Sequence, residues 1–365
     1  MEGLVIDSAV WSGRRVFLTG HTGFKGSWMV VFLHKMGAQV TGYSLVPSTD
    51  PSLFIEGNIQ PLMAKHHIAN VEDLPTLRRA MEESQPEIVF HMAAQPLVRE
   101  SYVRPVETFR TNVIGTANLL DAVRTTGSVR AVVNVTTDKV YENPEHAQPF
   151  AEDEKLGGYD PYSASKACSE IVTAAYRQSF FNPGKYSEHK VAVASARAGN
   201  VIGGGDWSAD RLVPDLLRAL LKDENPLVRN PVAVRPWQHV LEPLSGYLML
   251  AEHLFKQGAA FAEAFNFGPD ADDMQPVLKV AELILDVWGK GQLDVQKAPN
   301  GPHEAGALLL DNSKARKRLG WTPVWNLKTA LTRTVEWTRH WHEGNGNLID
   351  LMLQQISQYE SDRNQ

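Results

Sequence analysis

Short, unbroken apolar runs alternate through the first half of the chain with longer stretches whose apolar residues recur at helical spacing. Val16-Phe17-Leu18-Thr19 is one such run, as expected of a parallel strand covered on both faces. It enters Gly20-His21-Thr22-Gly23-Phe24-Lys25-Gly26, which opens a helix through about Met36. A second strand follows over residues 39–44, and residues 47–51 read as a loop. Residues 87–95 form another strand that ends in small side chains, residues 112–124 a helix, and residues 131–136 a fourth strand. A helix over 162–176 and a strand over 191–196 complete the alternation. This order predicts an α/β protein built on a doubly wound parallel sheet. Past residue 200 the pattern changes to short mixed elements, with amphipathic helices at 277–288 and 327–341 flanking 311–323. That change predicts a smaller, mixed α/β C-terminal domain, with no low-complexity linker and no internal repeat.

In doubly wound sheets ligands lie beyond the carboxyl ends of the strands, so candidate chemistry is sought there. The spacing Gly20-x-x-Gly23-x-x-Gly26, between a strand and a helix, permits a tight turn and brings a pyrophosphate close to free helix N–H groups. Lys25 adds a positive charge at that point. The acid expected about 20 residues later, on the ribose of NAD, has no counterpart in Tyr43-Ser44-Leu45-Val46-Pro47. Nor is there an arginine, so this marker leaves NAD and NADP open. The small residues Ala93 and Ala94, before Gln95, would let the backbone approach a cofactor.

Thr137-Asp138-Lys139 stands just past the fourth strand and offers a hydroxyl donor, a carboxyl acid and an amine base around one substrate. Tyr162 and Lys166 lie four apart on the helix opened by Pro161, hence on one face. A cation beside a phenol favours the phenolate, lowering a pKa that starts at about 10. Farther on, Arg211, Arg229, Arg235 and His239 bring donors, and arginine's planar fork suits phosphate.

Composition narrows the partners. A net charge of −6 and a pI near 6.1 carry no basic footprint for nucleic acid. No apolar run approaches the roughly 18 residues of a membrane helix. The segment from Met1 to Trp11 holds two acids and no Lys or Arg, unlike a secretory signal. The single cysteine, Cys168, reads as a small helix residue and fits a reducing compartment. A cytoplasmic protein is expected, and the pattern calls for no metal.

The ordered set Gly20-x-x-Gly23-x-x-Gly26, His91-Met92-Ala93-Ala94, Tyr162-x-x-x-Lys166, Arg197-x-x-Asn200, Arg235 with His239, and Leu319-Gly320-Trp321-x-Pro323 resembles the extended short-chain dehydrogenase/reductases that act on nucleotide-sugars. Within that family the likeness is strongest to the 4,6-dehydratases of CDP-glucose, which implies a Rossmann-type dinucleotide-binding domain over 11–199, with later segments crossing back, and a nucleotide-sugar domain over 200–350. It further implies NAD as cofactor, held by Gly20, Thr22, Gly23, Phe24, Lys25, Gly26, Ala93, Ala94, Gln95, Asn112, Thr136, Tyr162, Lys166 and Arg197. CDP-glucose would be held by Asn200, Arg211, Arg235 and His239.

The resemblance makes Thr137, Asp138, Lys139, Tyr162 and Lys166 the catalytic set. Relatives acting on dTDP-glucose and GDP-mannose carry Glu where Lys139 stands, and 4-epimerases carry small residues at both Asp138 and Lys139. Another dehydratase, or an epimerase, therefore disagrees with this pair. A non-catalytic NAD-binding regulator would lack Tyr162 and Lys166. Departures from the family occur at His66-His67, where it has Gly-Asp, and at Gly306-Ala307, after His303-Glu304, where it has His-Tyr. The family also implies a homodimer or higher homo-oligomer, and a place in the synthesis of dideoxysugars for lipopolysaccharide O-antigen.

Overall fold

The structure is a computed structural model, described over residues 6–144, 148–296 and 306–364. His303 and Glu304 lie outside the described residues, as do Met1 to Val5 of the N-terminal segment. Six parallel strands run in chain order: β1 (Arg15–Thr19), β2 (Gln39–Ser44), β3 (Lys65–Ile68), β4 (Ile88–His91), β5 (Ala131–Val135) and β6 (Ala192–Ala198). A seventh, Ala264–Phe267, pairs in parallel with β6 at one edge. Across the sheet the order is Ala264–Phe267, β6, β5, β4, β1, β2, β3. The chain therefore winds outward one way from β1 and returns to wind the other way from β4, a doubly wound, Rossmann-like arrangement.

β3 escapes the apolar pattern because it is an edge strand of sequence Lys-His-His-Ile, with no fully buried side chain. It makes the strand expected as fourth the fifth in the chain. β5 and β6, in contrast, are buried at every position. Helices cover both faces. Phe24–Lys35 buries a continuous run from Gly26 to Leu33, and Pro161–Ser179 extends the expected helix at both ends.

The chain beyond residue 199 does not stay apart from this sheet. Besides the Ala264–Phe267 strand, the Leu241–Gln257 helix packs on β5 and β6, and the Leu348–Arg363 helix packs on Phe24–Lys35. Trp321, Trp337, Met352 and Tyr359 accordingly share one apolar core with Trp28 and Phe32. Asn200–Ile202, Val234–His239 and Met274–Pro276 form a small separate sheet. A second core, including Leu216, Trp237, Ile284 and Leu331, lies under it.

Candidate active site

β1 and β4 are neighbours whose chains depart in opposite directions, and the glycine loop sits at the mouth of the cleft this opens. Gly20 adopts φ +76°, and a Cβ there would come within 2.7 Å of the Ala93 nitrogen. A Cβ on Gly26 would fall 2.1 Å from the Gly20 oxygen. Only glycine fits both places, so the loop can lie flat against the residues that follow β4. Thr19 fixes those residues, its Oγ1 accepting from the Met92 and Ala93 amides, each at 3.1 Å. Gly23 caps the Phe24–Lys35 helix without a side-chain bond, which leaves the first-turn N–H groups facing the cleft. Thr22 donates to the Leu45 carbonyl at 2.9 Å and pairs with the Ser44 hydroxyl at 2.9 Å, tying the loop to the end of β2.

Asn112 lies in a π-helical turn, Arg110–Ile114. Its amide accepts from Gln95 N at 2.9 Å and donates to Gln95 O at 3.1 Å and Ser165 Oγ at 2.8 Å. One side chain thus clamps the loop after β4 to the Tyr162 helix. Asp160 caps that helix through the Ser163 amide.

The end of β5 turns into Asp138–Val140, a single helical turn capped by Thr137. Thr137 Oγ1 donates to Asp138 Oδ1 at 2.8 Å. Burial raises the Asp138 carboxyl above the usual carboxylate range, against the pull of Lys139, the Thr137 hydrogen bond and Arg235. Its Oδ2 is buried and, among the described residues, has no hydrogen-bond partner. Burial likewise pushes the Tyr162 phenol up to about 12, opposed by the Thr137 hydroxyl and Arg211 and reinforced by Asp138. The expected depression of that phenol by Lys166 is not what the geometry yields. The Lys166 ammonium donates to the Val135 carbonyl at 3.1 Å, and its own pKa falls with burial to about 8, against the pull of Glu170.

Lys25 reaches the same region. Its Nζ lies 5.9 Å from the Tyr247 ring centre. Burial, with Arg211 and Lys166, lowers it to about 7, while Asp138 and Asp206 oppose. Three cations converging on one cleft form a place for an anion such as a diphosphate. Arg211 enters it from a different segment, braced by Asp206 at 2.9 Å. Arg235 donates to the Val234 carbonyl at 2.8 Å, and its charge acts on Asp138. Gly306 and Ala307 lie against the Val234–His239 strand, Val234 N donating to the Gly306 carbonyl at 3.0 Å. Asn200 begins the adjacent strand, opposite Trp237.

Three expected ligand residues are engaged elsewhere. His239 is fully buried between Trp28 and Trp325, with ring centres at 6.0 and 4.9 Å, and its Nδ1 accepts from the Leu241 amide. Arg197 spends its guanidinium on Glu170, at 2.9 and 3.1 Å, on the Tyr141 hydroxyl and on the Glu152 carbonyl. The Thr136 hydroxyl donates to Glu170 at 2.5 Å. These residues build the wall behind the cleft.

The sequence reading missed Glu170 and Tyr247. Glu170 is four residues past Lys166, so helical spacing alone puts it on the catalytic face. Tyr247 carries no such signal, because it reaches the site from the separate Leu241–Gln257 helix, some 80 positions past Lys166. At the far end of the loop, His21 Nε2 meets His66 Nδ1 at 2.8 Å, and burial drives His21 down to about 3, so it is neutral.

Comparison with known proteins points to one family. The family model for GDP-mannose 4,6 dehydratase matches residues 17–334. A CDP-glucose 4,6-dehydratase of Salmonella typhimurium is 50% identical over 98% of this chain and 99% of its own. A dTDP-glucose 4,6-dehydratase of Streptomyces griseus is 29% identical over 90% of this chain and 96% of its own. Among solved structures, a dTDP-glucose 4,6-dehydratase from Streptomyces venezuelae with NAD and TYD bound superposes with a TM-score of 0.76 at 25% identity, covering 89% of this chain and 97% of that one. The chain belongs to the GDP-mannose 4,6 dehydratase family of the short-chain dehydrogenase/reductases.

Proposed function

We propose that the chain is a hydro-lyase converting CDP-D-glucose to CDP-4-dehydro-6-deoxy-D-glucose and water, with tightly held NAD+ as its internal oxidant. The observation that carries this reading is Asp138, a buried carboxyl raised toward its protonated form, with one oxygen unpartnered, beside Lys139 and facing Tyr162. An acid poised to donate is what loss of a hydroxyl requires and what epimerisation does not. The residues fit the cofactor: the flat Gly20–Gly26 loop, the uncapped helix N-terminus and Lys25 suit a pyrophosphate. When bound, NAD+ supplies a reversible oxidation, taking electrons at C4 of the sugar and returning them at C6.

Within that frame the chain's own groups divide the proton work. Tyr162 takes the C4 hydroxyl proton, and the Arg211 charge favours its phenolate. Thr137 hydrogen-bonds the same oxygen. The ketone at C4 acidifies the C5 hydrogen, which Lys139 removes while Asp138 protonates the departing C6 hydroxyl. Arg211 and Arg235 bind the diphosphate of the substrate between the central sheet and the segments after Asn200.

We also assign a homodimer formed through the Gly115–Thr125 and Pro161–Ser179 helices. Exposed Val103, Val106, Ile114 and Ile171 on and beside them support this. The 4-keto-6-deoxy product suits cytoplasmic synthesis of dideoxysugars for O-antigen. The test is incubation with NAD+ and CDP-, dTDP-, UDP- or GDP-glucose, following the alkali absorbance of the 4-keto product and the mass. Loss of one water from CDP-glucose alone supports the assignment. Turnover of another nucleotide overturns the base preference, and a mass-neutral product points to epimerisation.

A further inference from the structure

The segment that brings Arg211 to the cleft is held by charge on two sides. It runs from Gly203 to Arg211, between the Asn200–Ile202 strand and the Leu212–Leu221 helix. On its inner side the Asp206 side chain is 4% exposed. Its Oδ1 accepts from the Ser208 amide at 3.0 Å and its Oδ2 from Arg211 Nη1 at 2.9 Å. Trp207 packs on Trp337 and Trp341, with ring centres at 5.6 and 5.1 Å, which fixes the first half of the segment to the Leu327–Glu343 helix. The second half is held otherwise. The helix after it starts at Leu212 without a side-chain cap, so its entry angle, and with it the placement of Arg211, is left to the residues just before.

We infer that Asp210 is a positioning residue, which straps this segment to the helix beside that of Tyr162 and so sets Arg211 for the diphosphate of the substrate. Asp210 adopts φ +60°, a left-handed conformation uncommon for a residue with a side chain, and Arg211 returns to an extended backbone. In that conformation Asp210 Oδ1 lies 3.1 Å from Arg229 Nη1 and 3.3 Å from Arg99 Nη1. Arg229 directly follows the Leu227–Val228 strand, in the later part of the chain to which Asp210 itself belongs. Arg99 lies in the Val98–Val103 helix, which packs on the Pro161–Ser179 helix that carries Tyr162. One carboxylate thus joins the two sides of the cleft, one residue before the arginine that enters it.

The pair is suited to hold without locking. The Arg99 and Asp210 side chains are 37% and 40% exposed, so water and salt compete for them, and such a pair shifts an equilibrium only a few-fold. A segment strapped in this way keeps Arg211 near its bound place before a ligand arrives, so less conformational freedom is lost on binding. The pair opens readily enough for substrate to enter and product to leave. Its effect falls on affinity for the nucleoside diphosphate. This role rests on the dehydratase reading, in which Arg211 grips that diphosphate.

Calorimetric titration of the NAD-loaded chain with CDP reads the strap without turnover. Asp210→Asn tolerates the left-handed backbone and removes the charge, and Arg99→Gln removes it from the other side. Each should weaken CDP binding by about three-fold at low salt. The double variant should weaken it by the same factor, because either substitution already opens the pair. In about 1 M salt, where the screening length is roughly 3 Å, the variants should bind CDP as the wild type does. Unchanged affinity in the single variants overturns the strap. So does a loss of about nine-fold in the double variant, which would mean that the two residues act separately. A loss undiminished in 1 M salt overturns it too, by making their role structural. A wild-type chain that binds CDP but removes no water from CDP-glucose overturns the dehydratase reading, while the same titrations still decide the strap. A wild-type chain that binds no CDP overturns both.

Discussion

Two buried carboxylates, Asp138 just past β5 and Glu170 within the Pro161–Ser179 helix, are treated in opposite ways. Glu170 receives the Thr136 hydroxyl and both arms of the Arg197 guanidinium. Burial opposes its ionisation, yet Arg197 and these hydrogen bonds hold it below the usual range. Asp138 has one hydrogen bond from Thr137, an unpartnered Oδ2, and a pKa that burial raises. One acid is satisfied by the protein and the other is left to be satisfied by something else. Folding explains the first, because a buried charge needs its partners. A structure optimised for stability alone would not keep the second. The contrast separates wall from reactive centre, although both groups are acidic and buried.

The largest expected effects are on the unsatisfied side and concern rate. Tyr162→Phe should lose C4 oxidation, and with it dehydration, by a factor on the order of 10² to 10⁴. Lys139→Met should stop dehydration to a similar degree yet still oxidise C4, visible as enzyme-bound NADH absorbance. Full dehydration by Lys139→Met would remove the base from Lys139, and NADH formation by Tyr162→Phe would remove it from Tyr162.

Exchanging acid for amide on each side sharpens the comparison. Glu170→Gln leaves Arg197 buried with no counter-charge and should cost about 3–5 kcal/mol in denaturant unfolding. Asp138→Asn removes an acid that is already disposed to be neutral, so it should cost little stability while losing activity. Equal destabilisation by the two substitutions would abolish the distinction.

How far the sequence disclosed all this follows the same division. The glycine loop, Thr137 to Lys139, and Tyr162 with Lys166 were legible because local geometry fixes them: a strand end, a turn, a helical repeat of four. The buried strands were legible as apolar runs. β3 was not, since an edge strand can be Lys-His-His-Ile. Arg197 and His239 were read as ligand residues because a cation or an imidazole in a motif suggests one. Their actual partners, Glu170 and the Trp28 and Trp325 rings, are supplied by segments that sequence spacing does not relate. The same holds for the Leu348–Arg363 helix, which closes over the Phe24–Lys35 helix from the other end of the chain.

A third acid tests whether burial alone, without catalysis, can raise a carboxyl. Glu242 accepts from the Val324 and Trp325 amides and the Tyr359 hydroxyl, far from the cleft, yet burial raises it from 4.5 to about 7. The folded state then keeps a proton that the unfolded chain releases above about pH 4.5. Its contribution to stability is greatest at the acid end, falls as pH rises toward 7, and is level above that. The fall should be roughly 3 kcal/mol, and Glu242→Gln should flatten it in unfolding experiments across that window. A variant with the wild-type slope would assign the dependence to other groups.

The smallest effect expected is at Tyr247, and it asks whether an unpartnered group near Asp138 belongs to the reactive centre. The ring is fully buried against Phe267, and its hydroxyl has no hydrogen-bond partner. Burial, then Tyr162 and Asp138, raise the phenol well above its ordinary range, so it is present as a neutral donor. Removing a hydroxyl that bonds nothing should leave the ligand-free chain unchanged or more stable by about 1 kcal/mol. If the hydroxyl instead awaits a ligand, Tyr247→Phe should bind NAD+ or CDP-glucose more weakly by a few-fold in calorimetry, with no loss in the free protein. A loss of stability without ligand would place Tyr247 with Glu170, among the groups that folding has already satisfied.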